Sequence, residues 1–174
     1  MRRDTAPWRR REVCTLGDRS LPKISAGILV HRKRRGLLEV LLVHPGGPFW
    51  AKRDLGSWSI PKGEADSDED LLYRALQELQ EETGLTAGGP FSPLLPARQS
   101  GKLVYAWATE GDCDADAIVS NTFRIEYPPH SGHFKEFPEV DRAGWFDLAT
   151  AREKILPAQR DFLDQLEQLV AGQG

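Results

Sequence analysis

Residues 61–86 read "PKGEADSDEDLLYRALQELQEETGLT", and this stretch decides how the rest of the chain is interpreted. Its apolar residues recur at the spacing of one helical face, which predicts an amphipathic helix over residues 67–83. Ser67 is the predicted N-cap, and Gly84 is placed to end the helix in the left-handed conformation that glycine adopts readily. The apolar stripe consists of Leu71, Leu72, Ala75, Leu76 and Leu79.

Three glutamates share one side of this helix. Glu78, Glu81 and Glu82 lie three and four residues apart, which places their carboxylates together. Like charges at this spacing destabilise a helix by about 0.2–0.5 kcal/mol per pair, and negative charge is also unfavourable near a helix C-terminus. One interpretation is that these residues form the solvated side of the helix. The alternative is a divalent cation, because Mg²⁺ prefers oxygen ligands and typically also contacts substrate phosphates.

The loop before the helix favours the metal interpretation. In "SIPKGE", residues 59–64, Lys62 can hold a phosphate, and Gly63 lets the backbone approach an ion closely. The alternative for Lys62 is an ordinary solvated lysine.

The remaining pattern predicts a mixed β-sheet with one helix inserted in its middle and another at its end. Runs rich in Val, Ile and Leu, or alternating apolar with polar residues, predict the strands. The predicted strands are residues 23–32, 37–44, 58–60, 94–99, 102–110, 121–127 and 143–148, with a turn at residues 100–101 and a final helix over residues 157–170. The fold class is therefore α/β or α+β. We expect a single domain over residues 22–174 and a flexible N-terminal arm over residues 1–21.

Composition and charge narrow the functional classes. The chain has 174 residues, of which 40% are hydrophobic and 28% charged, as is typical of a globular domain. The net charge of −3 gives no indication of a surface that binds nucleic acid or an anionic membrane. No apolar run approaches the ~20 residues that span a bilayer, and the basic N-terminus lacks the apolar segment of a secretory signal. We therefore expect a cytoplasmic protein with a small-molecule substrate, and the sequence is compatible with a homodimer.

The helix and its preceding loop match a known family pattern. The Nudix box consists of Gly, five residues, Glu, seven residues, and then Arg-Glu-apolar-any-Glu-Glu-any-Gly-apolar. This chain has Gly63, Glu69 and then "ELQEETGL", residues 78–85, in register with that pattern. The chain therefore resembles the Nudix hydrolases over about residues 22–170. It departs from the box at one position, Gln77, where the family has arginine.

This resemblance implies a fold, a reaction and a cofactor. The Nudix fold is a mixed central sheet sandwiched between helices, and Nudix enzymes hydrolyse a nucleoside diphosphate linked to a further group with Mg²⁺ or Mn²⁺. The resemblance implies that Glu78 and Glu82 are the principal metal ligands, with the carbonyl of Gly63 beside them. Glu81 is expected as a further ligand or as the general base, and Glu69 as support for the cluster.

Gln77 bears on the strength of that cluster. In the family, the arginine at this position orients a box glutamate and makes the clustered carboxylates tolerable, whereas glutamine can donate a hydrogen bond but carries no charge. Arg74 lies four residues before Glu78 on the same face and can partly take over this role. The departure does not touch the expected metal ligands.

Three further roles have candidates in the sequence. Glu81, Glu136 and Glu139 are the candidates for the general base. Glu136 and Glu139 are included because the predicted loop before the final strand can face the site. The sequence "PKG" also occurs in the Nudix branches that act on diadenosine tetraphosphate and diphosphoinositol polyphosphates, so Lys62 is expected to hold phosphates beyond the scissile bond. Trp58 is the preferred candidate for stacking a nucleobase.

The sequence thus supports two functional hypotheses. The first is a metal-dependent pyrophosphohydrolase acting on a nucleoside polyphosphate, with a dinucleoside polyphosphate or a nucleoside triphosphate as the preferred substrate. The second is a Nudix-fold nucleotide-binding or regulatory module with weakened catalysis, with Gln77 as the sign of that weakening. Product release from a panel of nucleotides distinguishes the two.

Overall fold

The computed structural model describes residues 21–173, so the predicted arm over residues 1–21 lies outside it except for Leu21. The strands of the described chain are β1 (Lys23–Arg34), β2 (Leu37–Pro45), β3 (Lys62–Ala65), β4 (Ser92–Pro93), β5 (Ala97–Gln99), β6 (Lys102–Glu110), β7 (Thr122–Glu126), β8 (Phe134–Pro138) and β9 (Val140–Asp147). The helices are α1 (Leu71–Thr83), α2 (Leu148–Lys154) and α3 (Arg160–Ala171). Within residues 21–173, no helix is both long enough and apolar enough to cross a lipid bilayer.

β1 is the centre of a seven-stranded mixed sheet. It runs parallel to β6 and antiparallel to both β2 and β3, and β9 pairs with the far side of β2. Residues 25–30 of β1 are all buried because both faces of the sheet are covered, which explains their nearly continuous apolar sequence. The short strands β4 and β5 both pair with β6.

Helices cover both faces of this sheet. On one face, Ala75 and Leu79 of α1 pack in a cluster with Ile28 and Leu41. On the other face, α2 and α3 supply a second cluster, which contains Leu29, Leu42, Ala151, Phe162, Leu163 and Leu166. The predicted mixed sheet between helices is therefore confirmed.

The start of α1 differs from the prediction. The helix begins at Leu71, and the side chain of Asp70, not that of Ser67, caps it by accepting a hydrogen bond from the amide of Tyr73 at 3.2 Å. The shift arises because β3 stays paired with β1 and residues 66–69 are needed to turn the chain back over the sheet. The acidic residues before the helix therefore belong to this turn.

Two glycine-dependent turns lie where the sequence predicts them. Gly84 ends α1 with φ of +76° and donates its amide hydrogen to the carbonyl of Gln80. Between β5 and β6, Ser100 and Gly101 have φ of +48° and +78°. Both turns use the left-handed region, and both predictions are confirmed.

The strand predicted over residues 121–127 is confirmed as β7, but its pairing partner is not a strand of the central sheet. β7 and β8 pair only with each other, as a separate two-stranded hairpin, so the strand predicted over residues 121–127 does not join the central sheet. The prediction of a loop around Glu136 and Glu139 is wrong for residues 134–138, because these residues form β8. Cross-strand pairing of Phe123 with Phe137, whose ring centroids are 6.1 Å apart, stabilises this hairpin outside the two main clusters.

The end of the sheet also holds more structure than the sequence indicates. β9 begins at Val140, before the predicted strand, and α2 follows it directly. Asp147 caps α2 by accepting a hydrogen bond from the amide of Thr150 at 2.8 Å. A helix of seven residues is too short for its apolar spacing to stand out in the sequence.

Two alanine substitutions test the N-cap assignment. Asp70→Ala removes the acceptor for the Tyr73 amide, and we expect the melting temperature to fall by about 2–4 °C. Ser67→Ala is the matched control, because Ser67 is exposed and precedes the capped turn. Thermal unfolding followed by circular dichroism measures both variants. An equal fall in the two, or a fall in Ser67→Ala alone, would contradict the assignment.

Candidate active site

The candidate site lies where α1 crosses β3. Pairing with β1 places Gly63 opposite Ala26, which packs in the same apolar cluster as Ala75 and Leu79 of α1. A Cβ atom built on Gly63 would overlap the carboxyl group of Glu78. Glycine at position 63 thus permits the close approach of the Glu78 carboxylate, which any side chain there would displace.

Glu78 is the most deeply buried carboxylate of the site, with 6% of its surface exposed. Nη2 of Arg74 donates to Oε1 of Glu78, and Nε of the same guanidinium donates to the carbonyl of Glu64 at 3.1 Å. Burial raises the pKa of the Glu78 carboxyl above its usual range, and the Arg74 charge opposes that rise. The side-chain contact that orients Glu78 thus comes from Arg74, one turn before it on α1.

Glu82 lies one turn further along α1, beside Lys62. Its Oε2 accepts a hydrogen bond from the backbone amide of Lys62 at 3.1 Å. Burial raises the pKa of the Glu82 carboxyl well above its usual range, while the Lys62 charge opposes the rise and the Glu78 charge adds to it. Burial likewise lowers the pKa of the Lys62 ammonium, and Glu82 opposes that change. Two carboxylates and an amine thus share a small volume that disfavours charge on each of them.

These groups adjoin a cavity of about 530 Å³. Its charged lining residues are Lys62, Glu82 and Glu139, and Trp50 and Pro157 are among its apolar ones. The other lining residues are Val43, Pro45, Ser57, Ser59, Ile60, Gln99, Ser100, Val140, Leu156 and Ala158. Apolar walls with a few convergent polar groups are typical of a cavity that binds a small molecule.

Of the two glutamates expected from the loop before the last strand, one reaches this cavity. Glu139 lines the cavity, and its charge adds to the raised pKa of both Glu78 and Glu82. Glu136 instead lies exposed on β8 and accepts a hydrogen bond from the hydroxyl of Thr122. Glu136 is therefore not among the residues that line the cavity, and Glu139 is the better placed of these two candidates for the general base.

Glu81 and Glu139 are linked through the backbone. The carbonyl of Glu81 accepts a hydrogen bond from the amide of Asn121 at 2.8 Å, and the carbonyl of Asn121 accepts one from the amide of Glu139 at 2.8 Å. These two bonds fix the residue before β9 to the last turn of α1. Both glutamates are thereby held near the end of the helix that carries Glu78 and Glu82.

Trp58 does not take the stacking role expected of it. It is 4% exposed and packs edge-on against His44 and Phe146, with ring centroids 5.2 and 5.0 Å apart. An indole enclosed in the core offers no face to a nucleobase. Trp50 is the tryptophan that lines the cavity.

Glu69 and Gln77 are two positions of the box pattern whose side chains, within residues 21–173, form no hydrogen bond with Glu78 or Glu82. Glu69 is exposed, and its Oε2 accepts a hydrogen bond from the amide of Asp66 at 2.9 Å, so it stabilises the turn before α1. Gln77 is half-buried on α1. The contact that a box arginine would make to a glutamate is made here by Arg74.

The donor groups of the site suit a hard divalent cation. They are all oxygens, from carboxylates and the carbonyl of Gly63, and Mg²⁺ and Mn²⁺ prefer such ligands. Among residues 21–173, however, no three Asp, Glu, His or Cys side chains converge closely enough to hold an ion. Arg74 and the Lys62 amide bond to Glu78 and Glu82 instead. A cation would offset the burial and repulsion that raise the pKa values of these carboxylates.

Some supporting residues of the site carry no signal in the sequence. Gln159 is fully buried, accepts a hydrogen bond from the amide of Ile60 at 3.1 Å and donates one to Oε1 of Gln99 at 2.8 Å. It thereby fixes the β5–β6 turn to the segment that leads into Lys62. These bonds join residues 99 and 60 positions apart, and no local pattern predicts contacts over such separations.

Comparison with known proteins gives a match to a domain family and a similarity to a curated enzyme. The chain matches the model of the NUDIX domain over residues 21–166. It is also similar to an RNA pyrophosphohydrolase of Caulobacter vibrioides, with 39% identity over 64 residues. That alignment covers 34% of this chain and 37% of the relative, so the chain spans little more than a third of the length of the curated relative it matches.

Solved structures show a similar fold. One is a C. elegans Ap4A hydrolase binary complex, with a TM-score of 0.57, 22% identity, and coverage of 86% of this chain and 98% of that chain. Another is the NUDIX domain of Shewanella oneidensis NrtR complexed with ADP ribose, with a TM-score of 0.55, 18% identity, and coverage of 86% and 89%. At these identities the likeness shows a shared fold.

Substitution of Gly63 tests whether the close approach of Glu78 forms the cation site. Gly63→Ala should displace the Glu78 carboxylate and weaken Mn²⁺ binding roughly tenfold or more. Gly88→Ala is the matched control, because a Cβ atom at Gly88 would meet nothing within 4 Å. Calorimetric titration with Mn²⁺ measures both variants. Unchanged Mn²⁺ affinity in a folded Gly63→Ala variant would show that this contact does not shape a metal site.

Proposed function

Because the chain belongs to the Nudix family, we propose that it is a metal-dependent pyrophosphohydrolase that cleaves a diphosphate linkage in a nucleoside polyphosphate. The observation that carries this proposal is the placement of two partly buried carboxylates, Glu78 and Glu82, beside Lys62. Carboxylates suit a divalent cation, and an ammonium suits a phosphate. The site thus offers a cation site and an anion site side by side, as a metal-bound diphosphate requires.

Glu78, Glu82 and the carbonyl of Gly63 are the groups that would hold Mg²⁺ or Mn²⁺. Such an ion, when bound, polarises phosphoryl oxygens and acidifies the attacking water. Arg74 orients Glu78 for this role, because its guanidinium is itself anchored on the Glu64 carbonyl. Gln77 therefore need not imply a weakened site.

Glu81 and Glu139 are the candidates for the general base that takes a proton from the attacking water. Glu139 has the better position, because it lines the cavity and its side chain reaches solvent. Lys62 would hold a phosphate beyond the scissile bond. Burial lowers the pKa of its ammonium, and an approaching phosphate anion would favour the charged form again.

Dinucleoside polyphosphates and nucleoside triphosphates are the preferred substrates. Each has enough phosphates for one to reach the metal ligands while another reaches Lys62. A cavity of about 530 Å³ is also large enough for one nucleoside. The relative named as an RNA pyrophosphohydrolase and the structure named as an Ap4A hydrolase support this substrate class. RNA with a 5′-triphosphate therefore belongs in the panel of substrates to be assayed.

A nucleotide-binding module with weakened catalysis is the second candidate. Gln77 carries no charge, and protein donors already bond to Glu78 and Glu82, both of which favour this alternative. The NUDIX domain that was solved as a complex with ADP ribose is consistent with a binding role. Such a module would bind nucleotides in the same cavity without releasing products.

Charge removal in the carboxylate cluster tests the proposed catalysis. Glu78→Gln and Glu82→Gln keep the side-chain size but remove a metal ligand, and we expect each to lower kcat by roughly two to three orders of magnitude. Glu136→Gln, on the hairpin, should retain the wild-type rate. Product release from diadenosine tetraphosphate under saturating Mg²⁺ is the measurement. Near wild-type turnover in both cluster variants would refute the metal assignment, and nucleotide binding without turnover in the wild type would favour the second candidate.

Truncation of Lys62 tests the substrate class. A substrate with four bridged phosphates extends past the metal ligands, whereas ADP-ribose has two phosphates and does not need a cation there. We expect Lys62→Ala to lower kcat/KM for diadenosine tetraphosphate roughly tenfold or more, and that for ADP-ribose much less. Lys135→Ala, which removes an exposed lysine of β8, is the control. Equal proportional losses on both substrates would contradict the polyphosphate assignment.

A further inference from the structure

We propose that Trp50 is the residue on which the nucleobase of the substrate stacks, and that the buried His44 positions it through Arg53. The inference rests on the proposed function, since it assigns a role within the same cavity. It replaces the stacking role that the core position of Trp58 excludes.

Trp50 offers an aromatic ring in a fixed orientation. It is half-buried and lines the cavity that also contains Lys62 and Glu82. The guanidinium of Arg53 lies over its ring, 5.3 Å from the centroid, which restrains the indole. Gln99 lines the same cavity and provides a hydrogen-bonding group for the polar edge of a base. A flat ring beside a polar side chain is the combination that nucleobase binding uses.

The neighbouring aromatic residue provides a contrast. Phe49 precedes Trp50 in the loop, is 61% exposed and packs edge-on against Tyr127 of the hairpin segment, with centroids 6.4 Å apart. It does not line the cavity. The two residues therefore share a loop but only Trp50 can meet a ligand in the cavity, which makes Phe49 a matched control.

Arg53 connects Trp50 to the core. Its amide donates to the carbonyl of Trp50 at 2.9 Å, which closes a turn over residues 50–53. Its own carbonyl bonds to Nε2 of His44 at 2.6 Å. His44 stands at the end of β2 and is 0% exposed. The turn that carries Trp50 is thus hydrogen-bonded, through the Arg53 carbonyl, to the fully buried side chain of His44.

His44 is held at both of its ring nitrogens. Its Nδ1 lies 2.8 Å from Oδ1 of Asp141, and its Nε2 bonds to the Arg53 carbonyl. A carbonyl oxygen can only accept, so Nε2 donates to Arg53. Asp141 and Arg53 together hold the buried imidazole in one orientation.

The surrounding charges are arranged around the same loop. Arg142 lies beside Asp141, with Nε 3.8 Å from Oδ1. Trp58, whose ring edge packs on His44, donates its indole hydrogen to Asp54 at 2.7 Å, and Lys154 donates to the same carboxylate at 2.8 Å. Two consecutive loop residues, Arg53 and Asp54, are thus fixed from the core. The buried Trp58 therefore supports the loop that carries Trp50, through its hydrogen bond to Asp54.

Equilibrium binding of ADP and of inorganic pyrophosphate, both with Mg²⁺, tests the stacking role independently of hydrolysis. Trp50→Ala should weaken ADP binding roughly tenfold and leave pyrophosphate binding unchanged, because only ADP has a base to stack. Asp141→Asn should weaken ADP binding by a smaller factor, again without affecting pyrophosphate. Phe49→Ala should alter neither. Equal ADP affinity in Trp50→Ala and wild type would refute the stacking role, whereas a chain that binds ADP this way yet hydrolyses nothing would refute only the proposed catalysis.

Discussion

The close packing of the Glu78 carboxylate against the backbone of Gly63 is the contact on which the site depends. The Glu78 carboxylate can lie this near the backbone of β3 because position 63 has no side chain, and Ala75 and Leu79 hold the helix against the sheet. The buried carboxylate must then be stabilised by positive charge, which Arg74 supplies in part. One face of α1 therefore builds the core, while the other face carries carboxylates whose buried charge Arg74 balances only in part.

The sequence predicts those parts of the molecule in which local spacing is tied to burial. The apolar stripe of α1, the continuous apolar run of β1 and the turn at residues 100–101 are all periodic or steric signals within a few residues. The capping of α1 by Asp70 and the separation of the β7–β8 hairpin depend on how the chain leaves β3 and β6. Those choices are made by tertiary packing, so neither element follows from its own sequence.

The two functional parts of the cavity differ in the same way. The carboxylates of α1, Gly63 and Lys62 all come from one contiguous segment, residues 61–86, and are therefore evident in the sequence, whereas Glu139 joins the cavity from the residue before β9. The wall that would meet a nucleobase is assembled from Trp50, the β5–β6 turn and the turn before α3, which are distant in the chain. The proposed phosphate chemistry thus follows from a motif, whereas the proposed wall for the group attached to the phosphates consists of residues without a motif. Trp58 lies close to the motif in sequence, yet it is buried in the core.

Hydrolysis of diadenosine tetraphosphate in H₂¹⁸O, with Mg²⁺ or with EDTA, tests the central claim most directly. The claim is that the oxygen groups at the end of α1 support attack of water on a diphosphate linkage with a divalent cation. Mass spectrometry should then find products only when the cation is present, with a single ¹⁸O atom in one phosphate-containing product. Product formation at the same rate in EDTA, or intact substrate under every divalent cation tried, would contradict it.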